Sequence, residues 1–357
     1  MPLVFEHETR AQRVLFGSGR AAGHLASETA RLGSRTPLVI AGERHQGLIV
    51  SAGLSEAMRY RRVVEHVPVA VAEDARSVAK AGDADLLIAV GGGSATGLAK
   101  AVALTSGLPI VAVPTTFAGS EATDVWGLTQ DGRKRTGNAP NVLPVTVVYD
   151  AELVVGSPPS LAVASGLNAV AHCVDAMWGP RVDPISEAFA LEGLRALRSG
   201  LPGVASAELA GTEEALYGCY LGAVAFAAAG SGLHHKICHV LGGAFDLPHA
   251  ATHAIVLPHV LAFNAPYAAA SAARIATALG DVDASDGLER LRTSLDAPRA
   301  LREIGLGEDD LPAAAALVLP EVPPGNPRPV DRASLTALLR GAWAGTDPRL
   351  IWTQRTV

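Results

Sequence analysis

Aromatic residues make up only 4% of this chain. Its core therefore cannot rest on large rings, and the abundance of alanine points instead to closely packed helices. Positive charge is not in excess: the formal net charge is -6. No basic run is interleaved with aromatics, which speaks against a nucleic-acid partner. Cysteine is scarce: Cys173, Cys219 and Cys238 are the only three, and no CxxC occurs. That excludes a disulfide framework and points to reduced thiols in a cytoplasmic protein. Cys238 reads as a small apolar filler. Long apolar runs are also missing, with one exception. Residues 215–233 carry no charge and have roughly the length of a membrane span. They are mostly Ala and Gly with Tyr217 and Tyr220, so a buried helix is expected and no membrane partner. The N-terminus carries charge where a signal peptide needs an apolar stretch.

What is present is enough for two domains: 357 residues, 49% of them hydrophobic. Strands are predicted at residues 13–16, 36–41, 62–67, 85–90, 109–113 and 145–149, with helices at 22–32 and 72–81. Alternating helix and strand, with strands apolar on both faces, predicts an open, mostly parallel sheet covered by helices. Asp131-Gly132 marks a hairpin turn. Beyond about residue 160 the periodicity is helical: 161–178, 185–199, 209–230, 232–242, 253–264, 267–279, 286–296, 300–303, 310–319 and 331–344. The expected division is an α/β domain at 1–155 and an all-helical domain at 156–357.

Two loops suggest a nucleotide. The strand ending at Val90 runs into Gly91, Gly92, Gly93 and Ser94, and a helix follows. Glycines allow a sharp turn and close backbone approach, and the positive helix end faces the same spot. The spacing is not GxGxxG, so the usual dinucleotide fingerprint is absent. The strand ending near Val113 leads to Thr115, Thr116, Gly119 and Ser120. Open α/β sheets bind ligands at this carboxyl edge.

The histidines are crowded: six of eleven fall between positions 234 and 259. His235 and His239 share a helix face, as do Asn168 and His172 upstream. Two such helices can form one polar site between them. His253 and His259 read as supporting or helix-end residues, and His7, His24, His45 and His66 as surface residues.

These motifs resemble the iron-containing alcohol dehydrogenase superfamily and, within it, the maleylacetate reductases. The wider resemblance rests on Gly91-Gly92-Gly93-Ser94, Pro114-Thr115-Thr116, Gly119-Ser120-Glu121, the Asn168/His172 helix and His235, His239 and His249. The narrower one adds Gly97-Leu98-Ala99-Lys100, Phe117-Ala118, Lys134-Arg135-Thr136-Gly137, the run from Gly232 to His239, and Asn326-Pro327-Arg328-Pro329. It implies a dinucleotide domain and a helical domain with NADH or NADPH between them. The cofactor would be held by Gly91, Gly92, Gly93, Ser94, Thr115, Thr116, Ser120 and Lys134, with His239 on the nicotinamide side. It implies reduction of the maleylacetate enone, a small dicarboxylate, to 3-oxoadipate by a homodimer. His172, His235 and His249 would be catalytic, and with Asn168 would bind the substrate. Lys236 and Arg133 are candidates for its carboxylates.

The chain departs from the family pattern in three places. The metal-dependent members hold their ion with an aspartate and three histidines. The matching positions here are Asn168, His172, His235 and His249. A neutral amide replaces the only anionic ligand, so the metal site is degenerate and metal-free function is expected. Gly97 stands where alcohol dehydrogenases tend to have an aspartate. Gly42 stands where NAD-selective relatives present an acid to the ribose, which opens the way to NADPH. Competing expectations are a metal-dependent alcohol or aldehyde dehydrogenase and a lyase of the dehydroquinate synthase kind. The latter needs a firm metal site and a basic phosphate cluster, neither of which the sequence offers.

Overall fold

A computed structural model describes residues 3–130 and 133–352, with the side chains of Arg133 and Lys134 outside the description. The chain divides into two compact units: Thr9–Ser157, and Pro158–Val357 together with the residues preceding Thr9. The N-terminal segment joins the helical unit through His7, whose Nδ1 lies 2.9 Å from Asp183 Oδ2. Its side chain is 9% exposed, so His7 is not a surface residue.

The α/β unit contains β1 (Arg13–Phe16), α1 (Ala21–Arg31), β2 (Pro37–Ala41), α2 (Gln46–Ser51), β3 (Met58–Tyr60), α3 (Val69–Ala81), β4 (Leu86–Gly91), α4 (Gly93–Ser106) and β5 (Ile110–Pro114). The hairpin strands β6 (Val125–Gln130) and β7 (Arg133–Asn138), then β8 (Thr146–Tyr149) and α5 (Glu152–Val155), complete it. Six strands form one parallel sheet in the order β1-β8-β5-β4-β2-β3. β2, β4 and β5 are buried at every position, as their unbroken apolar runs require when helices cover both faces. The hairpin's Asp131-Gly132 turn lies outside the described residues.

One strand differs from expectation. The third strand is Met58–Tyr60, not residues 62–67. Arg61 and Arg62 are exposed, and His66 and Val67 take positive φ values of 62° and 48°. That conformation ends any strand. The segment is instead held by β6: Thr129 donates its N–H to Val67 O (3.1 Å) and its hydroxyl to His66 O (2.8 Å). Val67 is buried and Val63 partly buried, as a loop. The short helix α2 has no counterpart in the sequence reading, and His45 beside it is buried rather than on the surface.

The helical unit contains α6 (Pro159–Ala176), α7 (Pro184–Ala205), α8 (Leu209–Ala229), α9 (Leu233–Phe245), α10 (His249–Asn264), α11 (Ala269–Leu279), α12 (Ala284–Ser294), α13 (Leu311–Val318), α14 (Arg332–Ala344) and α15 (Pro348–Trp352). Residues 300–303, expected as helix, form a single 3₁₀ turn at Leu301–Ile304. The uncharged run at 215–233 is broken by a 98° bend between α8 and α9. No single helix among the described residues is long and apolar enough to cross a membrane.

Poverty in aromatics takes a specific form here. α7 and α8 meet backbone to backbone, and a Cβ on Gly200 would come 2.5 Å from Gly211 O. α6 enters the same seam, since a Cβ on Gly222 of α8 would sit 2.6 Å from Cys173 Sγ.

Candidate active site

In the α/β unit, the loops after β4 and β5 lie side by side because those strands are neighbours, with Gly91 in register with Pro114. Thr115 donates its N–H to Gly91 O at 3.0 Å. Gly91 has φ +150°, a conformation suited to glycine alone. Gly92 and Gly93 leave little room for side chains. A Cβ on Gly92 would approach Thr116 Cγ2 to 3.0 Å, and one on Gly93 would approach Ala118 Cβ to 3.1 Å. α4 starts at Gly93, with Ser94 in its first turn and no acid there. Its orphan N–H groups and positive end are a ready anion site. Thr115 Oγ1 is buried and finds no hydrogen-bond partner among the described residues. Ser120 opens a 3₁₀ turn after Gly119.

This second loop is pinned from behind. The wholly buried Lys100 of α4 donates from Nζ to Thr123 O (2.7 Å), Thr123 Oγ1 (3.1 Å) and Val125 O (2.9 Å). Burial pushes its pKa down to about 7, opposed by the charges of Glu121 and Asp124. Buried Glu121 accepts from Tyr149 OH at 2.7 Å. Burial raises its carboxyl above the usual range, against the Tyr149 hydrogen bond. Lys134 lies in β7 opposite Thr129, its side chain outside the described residues.

In the helical unit, Asn168 and His172 sit one turn apart on α6, both buried. His172 stacks on His235 of α9, ring centroids 4.9 Å apart and planes 12° from parallel. Phe226 closes over both, at 5.0 Å from His172 and 4.2 Å from His235. Asn168 Oδ1 and His172 Nδ1 are buried with no hydrogen-bond partner among the described residues. Burial, then the neighbouring His235, holds the His172 pKa well below normal, so this ring is neutral.

His249 and His253 both border this cluster. The His249 ring lies 4.4 Å from His253, which in turn lies 4.9 Å from His235. His239 is 6.1 Å from His235, edge to face. His253 is fully buried and shares a 2.9 Å hydrogen bond, through Nδ1, with His234 Nε2. Cys238 Sγ is 3.7 Å from the same nitrogen. His234, Cys238 and His253 thus bring three donor atoms within 4.8 Å of one another, with one nitrogen of each imidazole paired to the other ring. His259 lies apart, its Nδ1 beside Gly341 of α14. Lys236 is drawn toward Glu321, 3.7 Å away. Arg133's side chain lies outside the described residues.

Asp175 is the residue that sequence reasoning missed. Its Oδ2 accepts from His235 Nδ1 at 2.8 Å and from the His235 backbone N–H at 3.2 Å. A signal existed: positions 168, 172 and 175 follow the i, i+4, i+7 rhythm of one helix face.

The donor set fits a divalent ion poorly. Asn168, His172 and His235 bring no negative charge, and the one nearby carboxylate is turned to Nδ1 of a ring. Imidazole donates a lone pair in its own plane. Two rings stacked face to face send those lone pairs along separate planes rather than to one point.

A parallel α/β unit with paired anion-binding loops, joined to a helical unit that buries an imidazole cluster, defines a nucleotide-dependent oxidoreductase. The chain belongs to the iron-containing alcohol dehydrogenase family: that family's pattern matches residues 11–151, and its C-terminal pattern matches 162–343. A maleylacetate reductase of Burkholderia cepacia is 41% identical, covering 97% of this chain and 99% of its own. A solved iron-containing alcohol dehydrogenase from Corynebacterium glutamicum is 52% identical at TM-score 0.95, covering 98% of this chain and 100% of its own. Maleylacetate reductase from Agrobacterium tumefaciens is 38% identical at TM-score 0.89, covering 97% and 100%.

Proposed function

We propose that this protein reduces maleylacetate, or substituted maleylacetates, to 3-oxoadipate with NADH or NADPH. The observation that carries the reading is the stacked His172–His235 pair beside Asn168, an imidazole site without a carboxylate ligand, in a chain about 40% identical to maleylacetate reductases. The same reading places it in the cytoplasm, as a homodimer, in the breakdown of aromatic rings through hydroxyquinol or chlorocatechol.

The nicotinamide, when bound, supplies a hydride to the alkene carbon β to the ketone. Gly91, Gly92, Gly93 and Ser94 hold its pyrophosphate by backbone N–H groups, and Thr115, Thr116 and Ser120 line the adjoining loop. Lys134 belongs to the same cofactor set. As the hydride arrives, charge develops on the ketone oxygen. His235 carries a proton on Nε2 in addition to the one that Nδ1 gives to Asp175. It donates from Nε2 to that oxygen and then delivers this proton to the α carbon, returning to the neutral ring, while neutral His172 adds its single ring N–H in a dry site. Asn168 offers its amide to the substrate. His249 belongs to the same catalytic and substrate-binding set, and the family resemblance assigns His239 to the nicotinamide side. No step in this scheme needs a metal.

The test is turnover of maleylacetate with NADH, followed at the nicotinamide absorbance, with and without a strong chelator. Oxidation of NADH that the chelator leaves unchanged is the expected result. No oxidation sinks the substrate assignment, and chelator-sensitive oxidation sinks the metal-free mechanism.

Cofactor choice follows from Gly42 at the end of β2. A Cβ there meets nothing within 4 Å, so an acid can be introduced without crowding. Gly42→Asp is expected to raise KM for NADPH by about tenfold or more, through repulsion of the 2′-phosphate, and to leave NADH nearly unaffected. Steady-state kinetics with both cofactors checks this.

A further inference from the structure

Asp175 stands in an unusual relation to α9. The first N–H groups of a helix lack partners inside it, and a side chain at the N-cap ordinarily serves them. The N-cap of α9 is Gly232, which has no side chain to offer. Its place is taken from another helix: Asp175 of α6 accepts the N–H of His235, the third residue of α9. The same oxygen accepts the His235 ring through Nδ1 at 2.8 Å. One carboxylate oxygen therefore fixes both the backbone and the imidazole of a single residue. Glycine at 232 is what lets it in, since a Cβ there would stand 2.7 Å from Asp175 Cγ. Asp175 and His235 are both wholly buried, so water does not compete for the bond.

We propose that Asp175 is a positioning residue for the reduction: it commits His235 Nδ1–H to itself, so that His235 meets the substrate through Nε2 alone. The carboxyl group missing at position 168 is thus kept in this site, behind an imidazole instead of on an ion, with burial raising its pKa above the usual range. The inference rests on the reading of His235 as a group that serves maleylacetate reduction.

The experiment combines kinetics with a measurement that needs no substrate. Asp175→Asn keeps the shape and an oxygen for the backbone N–H, but no longer dictates which ring nitrogen is protonated. It is expected to lower kcat about 100-fold, with KM for NADH within about twofold of wild type. In a His235→Ala background the same substitution should change kcat by less than about twofold, because the two act as a unit. Gly232→Ala, which displaces the carboxylate without deleting it, should lower kcat in the same way and stands in if Asp175→Asn fails to fold. In ¹⁵N-histidine-labelled full-length protein, assigned with His235→Gln, His235 Nδ1 should carry a fixed proton that Asp175→Asn releases. Unchanged kcat in Asp175→Asn, additive losses in the double variant, or an unprotonated Nδ1 in the wild type would overturn the proposal. A wild type inert toward maleylacetate, with the Nδ1 proton still governed by Asp175, would refute the substrate reading and leave this coupling standing.

Discussion

His235→Ala is expected to lower kcat for maleylacetate by about 10³-fold, the usual cost of removing a donor that faces a developing oxyanion. The ring is central to the cluster: it stacks on His172, touches Phe226, His234 and His253, and is tied to Asp175. His172 alone cannot substitute, because burial keeps it neutral and the stack fixes its face. Cofactor capture belongs to the loops after β4 and β5, so KM for NADH should change by no more than about threefold. The variant also leaves the Asp175 carboxyl buried without its ring partner. Its rate must therefore be measured per folded protein, with the unfolding transition recorded alongside. A variant that keeps kcat while folding normally would remove His235 from the mechanism.

Lys100→Met should cost about 3 kcal/mol of stability, because it leaves buried carbonyls without donors. Those acceptors are Thr123 O and Val125 O, together with the Thr123 hydroxyl. The loss depends on pH, and its sign follows from burial. The folded pKa is depressed from 10.5 to about 7, so the unfolded chain holds this proton more tightly between those values. Stability then rises with pH across that window, and below about 7 the folded protein bears the cost of a buried charge. Wild type should therefore gain on Lys100→Met as pH climbs from about 7 toward about 10 in denaturant titrations. Parallel curves would show that Lys100 carries no such linkage. KM for NADH should also rise in the variant, since Lys100 ties α4 to the residues that follow the second loop.

How much of this was legible in the sequence depends on the range of the interaction. β2, β4 and β5 could be read because a strand buried on both faces is apolar at every position. The false strand at 62–67 offered three valines, but only Val67 is buried, and that stretch is held by β6, some 60 residues away in sequence; three valines alone cannot say what conformation is being held. Gly91, Gly92 and Gly93 announced a tight turn; that two of them are needed to admit Thr116 and Ala118 depends on the pairing of β4 with β5. On α6 and α9 the four-residue spacing put polar groups on defined faces. The stacking of His172 on His235 and the contact of His253 with both His235 and His249 are set by where helices cross, which local periodicity does not encode. Asp175 lay on the face already singled out by Asn168 and His172. Its partner, however, is a helix start 60 residues onward, and only the crossing of α6 with α9 reveals it.

The glycine seam among α6, α7 and α8 has a mechanical consequence. Contacts made by bare backbone have no rotamers to rearrange, so a helix seated on them cannot yield by a side chain swinging aside. α6, which carries Asn168, His172 and Asp175, shares this seat in part, since a Cβ on Gly222 would also come 3.2 Å from Ala169 O. Tolerance for bulkier or halogenated substrates must then be sought in the softer surroundings of the imidazoles, Phe226 first among them, while His172 on α6 stays where the seam puts it.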